Sequence, residues 1–168
     1  MSGQTVYKNS IICNGNFTSN TINVNKIFGF FANNTTTYAS GSPLQWNTTP
    51  TLSYINGITL TNNSEFTFDT TGIFVFQYTL NIDDPLGNYY VLEIQLQSSD
   101  ISTTSWTTIS TNYAHQFFSN QAEVSNFFQV NHSSSKKYRM IVVYSGFSTD
   151  LQITTLLQYT NLSVFKVG

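Results

Sequence analysis

An all-β fold of antiparallel sheets, a sandwich or jelly roll, is what this sequence predicts, and three observations predict it. Apolar residues recur at every second position in segment after segment, as they must in strands with one face on a core. No i, i+3, i+4, i+7 pattern persists over the ten or so residues that a helix needs. Polar turn clusters separate the periodic segments at spacings of roughly 8 to 14 residues, the rhythm of short strands in a sandwich.

The chain begins with an Asn-rich stretch, residues 1–26, with thin apolar alternation. It is expected to be an arm or short neck, in which Ile11–Cys13 and Ile22–Val24 pair at most as short strands too small to stand alone. From Ile27 the sequence becomes dense, and residues 27–168 are expected to be the head domain. Ile27–Ala32 reads as a strand ended by the polar cluster Asn33-Asn-Thr-Thr-Thr37. Tyr38–Trp46 is interrupted by Gly41 and Pro43, so it is an edge or an irregular crossing. Asn56-Gly57, between Leu52–Ile55 and Ile58–Leu60, is a short-range turn signal.

The centre of the pattern is Glu65–Ile82. Phe74, Phe76, Tyr78, Leu80 and Ile82 alternate with Ile73, Val75, Gln77, Thr79 and Asn81, so the second face starts apolar and turns polar. The corner Asp69-Thr-Thr-Gly72 precedes this run, with Gly72 free to take positive φ. Beyond the loop Asp83–Asn88, Leu92, Ile94 and Leu96 alternate with Glu93, Gln95 and Gln97, which gives one buried and one wet face. Trp106, Thr108 and Ser110 alternate with Thr107 and Ile109, and Ala122–Val130 forms another strand. Tyr138–Tyr144 is apolar on both faces, and Leu151–Leu157 and Thr160–Val167 complete the chain.

Composition narrows the function classes. A length of 168 residues is one domain with room for a sizeable core, since 40% of residues are hydrophobic and 15% aromatic. Charged residues make up 8%, against about 25% in an ordinary soluble protein. Amides and hydroxyls must therefore cover the surface. A net charge of −2 with six basic residues argues against nucleic acid as a partner, which demands clustered Lys and Arg. The run Lys136-Lys-Tyr-Arg139 reads as a polar turn leading into a strand. No apolar run approaches the roughly 20 residues of a spanning helix, so membrane insertion is not expected. A basic segment followed by an apolar one is also lacking at the start, so no classical signal peptide is expected. Cys13 is the single cysteine and allows neither an internal disulfide nor a multi-thiolate site.

Catalytic constellations are missing from the pattern. His115 and His132 lie in separate segments without spaced partners, and Cys13 has no flanking cation to lower its pKa. Asp83 and Asp84, adjacent in a Pro-Gly loop, are at best a weak calcium site, and a solvated turn accounts for them. The expectation is a non-enzyme without cofactors. The Asn-X-Ser/Thr triplets at Asn16, Asn33, Asn34, Asn47, Asn62, Asn131 and Asn161 are about as frequent as this composition gives by chance.

Three stretches carry a family resemblance. Phe66-Thr-Phe-Asp-Thr-Thr-Gly-Ile-Phe-Val-Phe76 resembles the aromatic corner leading into the long third strand of the tumour necrosis factor and complement C1q superfamily of trimeric jelly rolls. Gly57-Ile-Thr-Leu60 stands where that superfamily has a short apolar strand, and Thr160–Val167 resembles its C-terminal strand in the middle of the inner sheet. The family's Gly-Asp turn is replaced by Val130–Lys137, and no collagen-like repeat precedes the head.

The resemblance implies a homotrimer built on the inner sheet. Phe28, Phe30, Ile73, Val75, Tyr159 and Phe165 are the residues expected at the three-fold contact, because large apolar faces mark interfaces. Tyr38, Trp46, Trp106 and Tyr113 are expected to be loop aromatics that meet a host surface glycan or protein. The function expected is a trimeric, receptor-binding head on a virion or fibre surface, outside the cell. The competing reading is a minor capsid, cement or penton-like structural protein that uses residues 1–26 as an assembly arm. A cupin-like oxygenase on a related double sheet would require a His/carboxylate metal set, which two isolated histidines do not supply.

Overall fold

The computed structural model describes residues 4–7, 10–13, 27–33, 35, 37–47, 56–83, 90–116, 121–145, 151–153 and 160–167. For residues 4–7, 10–13, 83, 90, 115, 116, 121 and 122 it describes the backbone alone. Every regular element among them is a strand: β1 (Gln4–Tyr7), β2 (Ser10–Cys13), β3 (Phe28–Asn33), β4 (Thr37–Tyr38), β5 (Trp46–Asn47), β6 (Ile58–Thr61), β7 (Glu65–Phe68), β8 (Gly72–Asp83), β9 (Tyr90–Asp100), β10 (Thr107–Gln116), β11 (Gln121–His132), β12 (Lys136–Ser145), β13 (Leu151–Ile153) and β14 (Asn161–Val167). Strands β3 to β14 build two antiparallel sheets. One has five strands in the order β10-β9-β12-β7-β6, and the other has seven, organised around β8.

Strand β8 is central because its two sides are both occupied. On one side β11 pairs with it from Gly72 to Asp83. On the other side β14 pairs with residues 73–79, and β13 takes over at Ile82 and Asp83. β14 in turn pairs with β3, so it lies between β8 and β3 in the sheet interior. The C-terminal strand therefore occupies the inner position that the resemblance implied.

The aromatic corner joins the two sheets. β7 lies in the five-stranded sheet and β8 in the seven-stranded one, with the turn 69–72 between them, where Gly72 adopts φ +139°. A Cβ at Gly72 would come within 2.6 Å of Lys166 Cε, the end of a flexible side chain that can move aside, so it is the backbone conformation that favours glycine. The corner brings Phe68 onto Phe74, stacked with centroids 3.8 Å apart, while Phe66 meets Phe31 and Phe76 edge to face. Such ring pairs add to the stabilisation from area burial. Phe74, Phe76, Leu80 and Ile82 have no exposed surface, and Leu92, Leu96, Met140 and Val142 oppose them from the other sheet.

Two local features depart from the expected pattern. The tight hairpin falls at Asn62-Asn63-Ser64 between β6 and β7, with Asn62 and Asn63 at φ 51° and 57°. Asparagine tolerates this left-handed region better than most residues. Gly57 is a bend at φ +68°, and Asn56 bridges to Phe28; Leu52–Ile55 lies outside the described residues. A β-bulge between Thr108 and Ser110 also breaks the simple alternation of β10. After it, Thr111 and Tyr113 rather than Ser110 continue the face of Thr108, because an extra residue shifts the parity of the strand.

β1 and β2 pair antiparallel with each other, with Thr5 opposite Ile12 and Val6 opposite Ile11. Among the described residues they pair with neither sheet of the sandwich.

Candidate functional site

The outward faces of the two sheets are chemically different, and they hold the residues that bear on function. On the seven-stranded sheet, register places Phe28, Phe165, Val75 and Gln129 in one cross-strand row and Phe30, Ser163, Gln77 and Phe127 in the next. Val167, Ile73 and Asn131 form a third row. Their neighbours in sequence point into the core, so period 2 puts these residues on the far side. Ile73 is 39% exposed, Val167 46% and Phe127 58%. Cross-strand neighbours at this spacing are in reach of one another, so the residues make one apolar patch on an otherwise polar protein.

Of the expected three-fold residues, the fold brings Phe28, Phe30, Ile73, Val75 and Phe165 together on this face, while Tyr159 lies outside the described residues. Phe127 and Val167 join them. Parity alone leaves open which of Phe127 and Phe128 faces out, and only the register of β11 on β8 decides it.

The outward face of the five-stranded sheet is polar and internally bonded. The Arg139 Nε–H donates to Gln97 Oε1 at 2.8 Å, and the Gln97 amide donates to Thr108 Oγ1 at 3.3 Å. Thr108 donates to Gln95 Oε1 at 2.9 Å, and the Gln95 amide donates to Glu93 Oε2 at 2.9 Å. Trp106, just ahead of β10, lies under two cations: the Arg139 guanidinium carbon is 4.2 Å from its ring centroid and Lys137 Nζ is 5.1 Å away. Lys137 is ion-paired with Glu65 at 2.9 Å and Lys136 with Asp100 at 2.8 Å. Burial pulls the Arg139 guanidinium below its usual range, and the charge of Glu65 opposes that shift. The sequence predicts a polar turn leading into a strand at Lys136–Arg139; the turn lies at 134–135 and the run is already the start of β12.

Two of the four expected surface aromatics must be corrected. Tyr38 is 2% exposed and Trp46 has no exposed surface. The irregular segment between them tucks inward: the amides of Gly41 and Leu44 donate to carbonyls of β12. The Tyr38 hydroxyl donates to Asn33 Oδ1 and accepts from the Gln45 amide at 2.9 Å, so its polar tip is satisfied inside the protein. Burial pushes its pKa up to about 12. Neither residue is available to a ligand. Trp106 is half-buried and Tyr113 is 63% exposed, and both stand on the outward face of the five-stranded sheet.

The remaining candidates divide between the core and regions outside the description. His132, the last residue of β11, is buried against Phe68, Phe74 and Tyr138, and its Nδ1 is 3.3 Å from the Tyr138 hydroxyl. Its Nε2 has no partner among the described residues, and burial pushes its pKa down. The His115 and Asp83 side chains and all of Asp84 lie outside the described residues. Cys13 is placed by its backbone alone, opposite Gln4. Among the described residues, no group of three or more His, Cys, Asp or Glu side chains comes together. No helix there is long and apolar enough to cross a membrane.

At the open end of the sandwich, the Asn112 amide on β10 donates to the Tyr78 hydroxyl at 3.2 Å and to the Phe127 carbonyl at 3.1 Å. That side chain ties the edges of the two sheets together beside the apolar patch.

No protein-family model and no curated protein matches this sequence. Solved structures do. Murine APRIL, in a crystal structure at pH 5.0, superposes with a TM-score of 0.65 at 8% identity, covering 84% of this chain and 99% of that one. Eiger TNF from S. frugiperda superposes with a TM-score of 0.63 at 11% identity, covering 85% of this chain and 93% of that one. With two antiparallel sheets of matching arrangement and so few shared residues, the likeness is one of backbone architecture: this chain has the tumour necrosis factor-like jelly-roll fold.

Proposed function

We propose that the protein is a non-enzymatic homotrimeric head that binds a partner molecule at a virion or fibre surface. The observation that carries the trimer is the apolar patch of Ile73, Val75, Phe127, Phe165, Val167 and Phe28 on the outward face of the seven-stranded sheet. A core cannot account for it, because the inward face of the same strands already fills the sandwich with Phe74, Phe76, Tyr78 and Phe128. Apolar surface of this kind on a protein in water is stabilised by being covered, and a closed ring of identical subunits covers it without leaving an open end. Placement on a virion or fibre draws support from the charge-poor, Asn- and Thr-rich composition.

Light scattering coupled to size exclusion tests the assembly. A mass of three chains is expected, and a strict monomer at micromolar concentration overturns the reading.

One observation favours a second reading. The β1–β2 pair joins neither sheet among the described residues, and an isolated pair of strands is marginally stable at best in water. Residues 1–26 then serve as an assembly arm, with the head as a minor capsid or cement subunit. Truncation separates the two: a binding head lacking residues 1–26 keeps its trimer and its partner, whereas a capsid component loses incorporation into particles.

A further inference from the structure

On the sheet opposite the apolar patch, one guanidinium is held in place with no acid of the described residues within ion-pair distance; Glu65, whose charge reaches it, is bonded to Lys137. Lys136 and Lys137 are each ion-paired, with Asp100 and Glu65. Arg139 is not. Its Nε is committed to Gln97 and its guanidinium carbon lies 4.2 Å from the Trp106 ring centroid, but its two terminal amino groups meet no acceptor among the described residues. The arginine is therefore fixed at its inner end, with its fork left open. A fork so preorganised suits a planar carboxylate, which takes two parallel hydrogen bonds from it.

We infer that this outward face, from Trp106 to Tyr113, binds an acidic oligosaccharide, with Arg139 receiving the sugar carboxylate. The inference rests on the reading of the protein as a binding head and names its ligand class and its site.

The chemistry of the strip selects that class. Its charges almost cancel, since Glu65 neutralises Lys137 and Glu93 stands at the far end, so a polyanion such as nucleic acid or a heavily sulfated chain finds no field to bind. What remains is one carboxylate receptor followed by a row of amides and a hydroxyl, Gln97, Thr108 and Gln95, which matches a ligand with one acid group and many hydroxyls. The amides already bond to one another, so their orientations are set before a ligand arrives and little ordering entropy is lost on binding. The indole N–H of Trp106 has no acceptor among the described residues, and Tyr113 offers a second ring at the other end, roughly 20 Å away by strand rise. An acidic peptide is disfavoured here. It would add as a strand along β10, and the bulge at Thr108/Ser110 breaks the ladder it would need.

The test is a titration of the intact oligomer with 3′-sialyllactose, lactose and a penta-glutamate peptide, followed by the indole and arginine Nε–H signals in NMR. Each probe is taken to about 10 mM, where a millimolar site is close to saturation. Expected are saturable shifts at Trp106 and Arg139 with sialyllactose and none with lactose or the peptide. Arg139→Ala and Arg139→Lys should each weaken binding about tenfold or more, because lysine keeps the charge and loses the fork. Tyr113→Ala, at an exposed position that folding does not depend on, should weaken it about threefold when a tetrasaccharide replaces the trisaccharide. Equal response to lactose, preference for the peptide, no response to any probe, or undiminished binding by Arg139→Lys each overturns the inference. A trimer that binds none of the probes leaves the assembly reading intact, whereas a monomer removes the reading beneath both.

Discussion

The outward faces of the two sheets began as the same kind of surface, the second side of strands with alternating residues, and they have opposite fates. On the seven-stranded sheet the second side carries Ile73, Val75, Phe127, Phe165 and Val167 and is bare of long hydrogen-bonded networks at its apolar end. On the five-stranded sheet it carries Gln95, Gln97, Arg139 and Glu93, bonded into a continuous ladder and capped by Trp106. The inward sides are alike in being apolar and closely packed. Inward faces give the fold its stability, and outward faces decide what the protein meets.

Breaking the association face should have the largest effect. Val75→Asp places a carboxylate in the middle of the apolar patch, between Gln129 and Phe165, and should convert the oligomer to monomer or prevent folding. Phe127→Ser, at an exposed position, separates these outcomes: the chain should stay folded by circular dichroism and still shift to lower mass by light scattering. Retention of the trimer in both variants would remove the distinction between the two faces.

The inward face of the same strand gives the next largest effect. Phe76, fully buried against Phe66 and Phe68, should cost about 3–5 kcal/mol of unfolding free energy when replaced by alanine, measured by urea denaturation. Phe127→Ala, on the outward side of the adjacent strand opposite Gln77, should cost far less in the separated subunit.

An intermediate effect is expected from His132, which belongs to neither outward face. Burial against Phe68, Phe74 and Tyr138 holds its folded pKa below the usual value of about 6.5. The unfolded chain therefore takes up the proton first. Stability should be constant above about pH 6.5 and should fall below it, with a limiting slope of about 1.4 kcal/mol per pH unit until the folded histidine protonates too. His132→Phe should flatten the profile between pH 6.5 and 5, and an unchanged slope would show that other groups set it.

The smallest effect belongs to the charges of the polar face. Lys136→Ala removes an ion pair whose partners are both well exposed and should change stability by less than about 0.5 kcal/mol. Lys137→Ala removes a more sheltered pair and a contact with Trp106 and should cost about 1 kcal/mol. If the two variants cost the same, the shelter that Trp106 gives is without consequence.

Much of this was legible in the sequence. Alternation in Phe74–Ile82 and Leu92–Gln97 reported the inward faces directly, because a strand has a period of two and one side must avoid water. The corner before Gly72 was legible for a similar reason, since few residues adopt its backbone. Tyr38 and Trp46 were not legible. A short segment broken by Gly41 and Pro43 has no period, so nothing local says whether its aromatics face in or out. The bulge in β10 was hidden as well, and with it the placement of Tyr113, rather than Asn112, on the outward face opposite Glu93.

The sequence by itself determined the fold class, the identity of the central strand and the presence of more aromatic surface than one core uses, because those follow from spacing along a single chain. Only the tertiary structure decided that Phe127 and Val167 join Ile73 and Val75, that Tyr38 and Trp46 are internal, and that Arg139 has no acid of the described residues within ion-pair distance while Lys136 and Lys137 have theirs. Those facts depend on register between strands far apart in the chain, and register is set by pairing and packing that no local stretch contains.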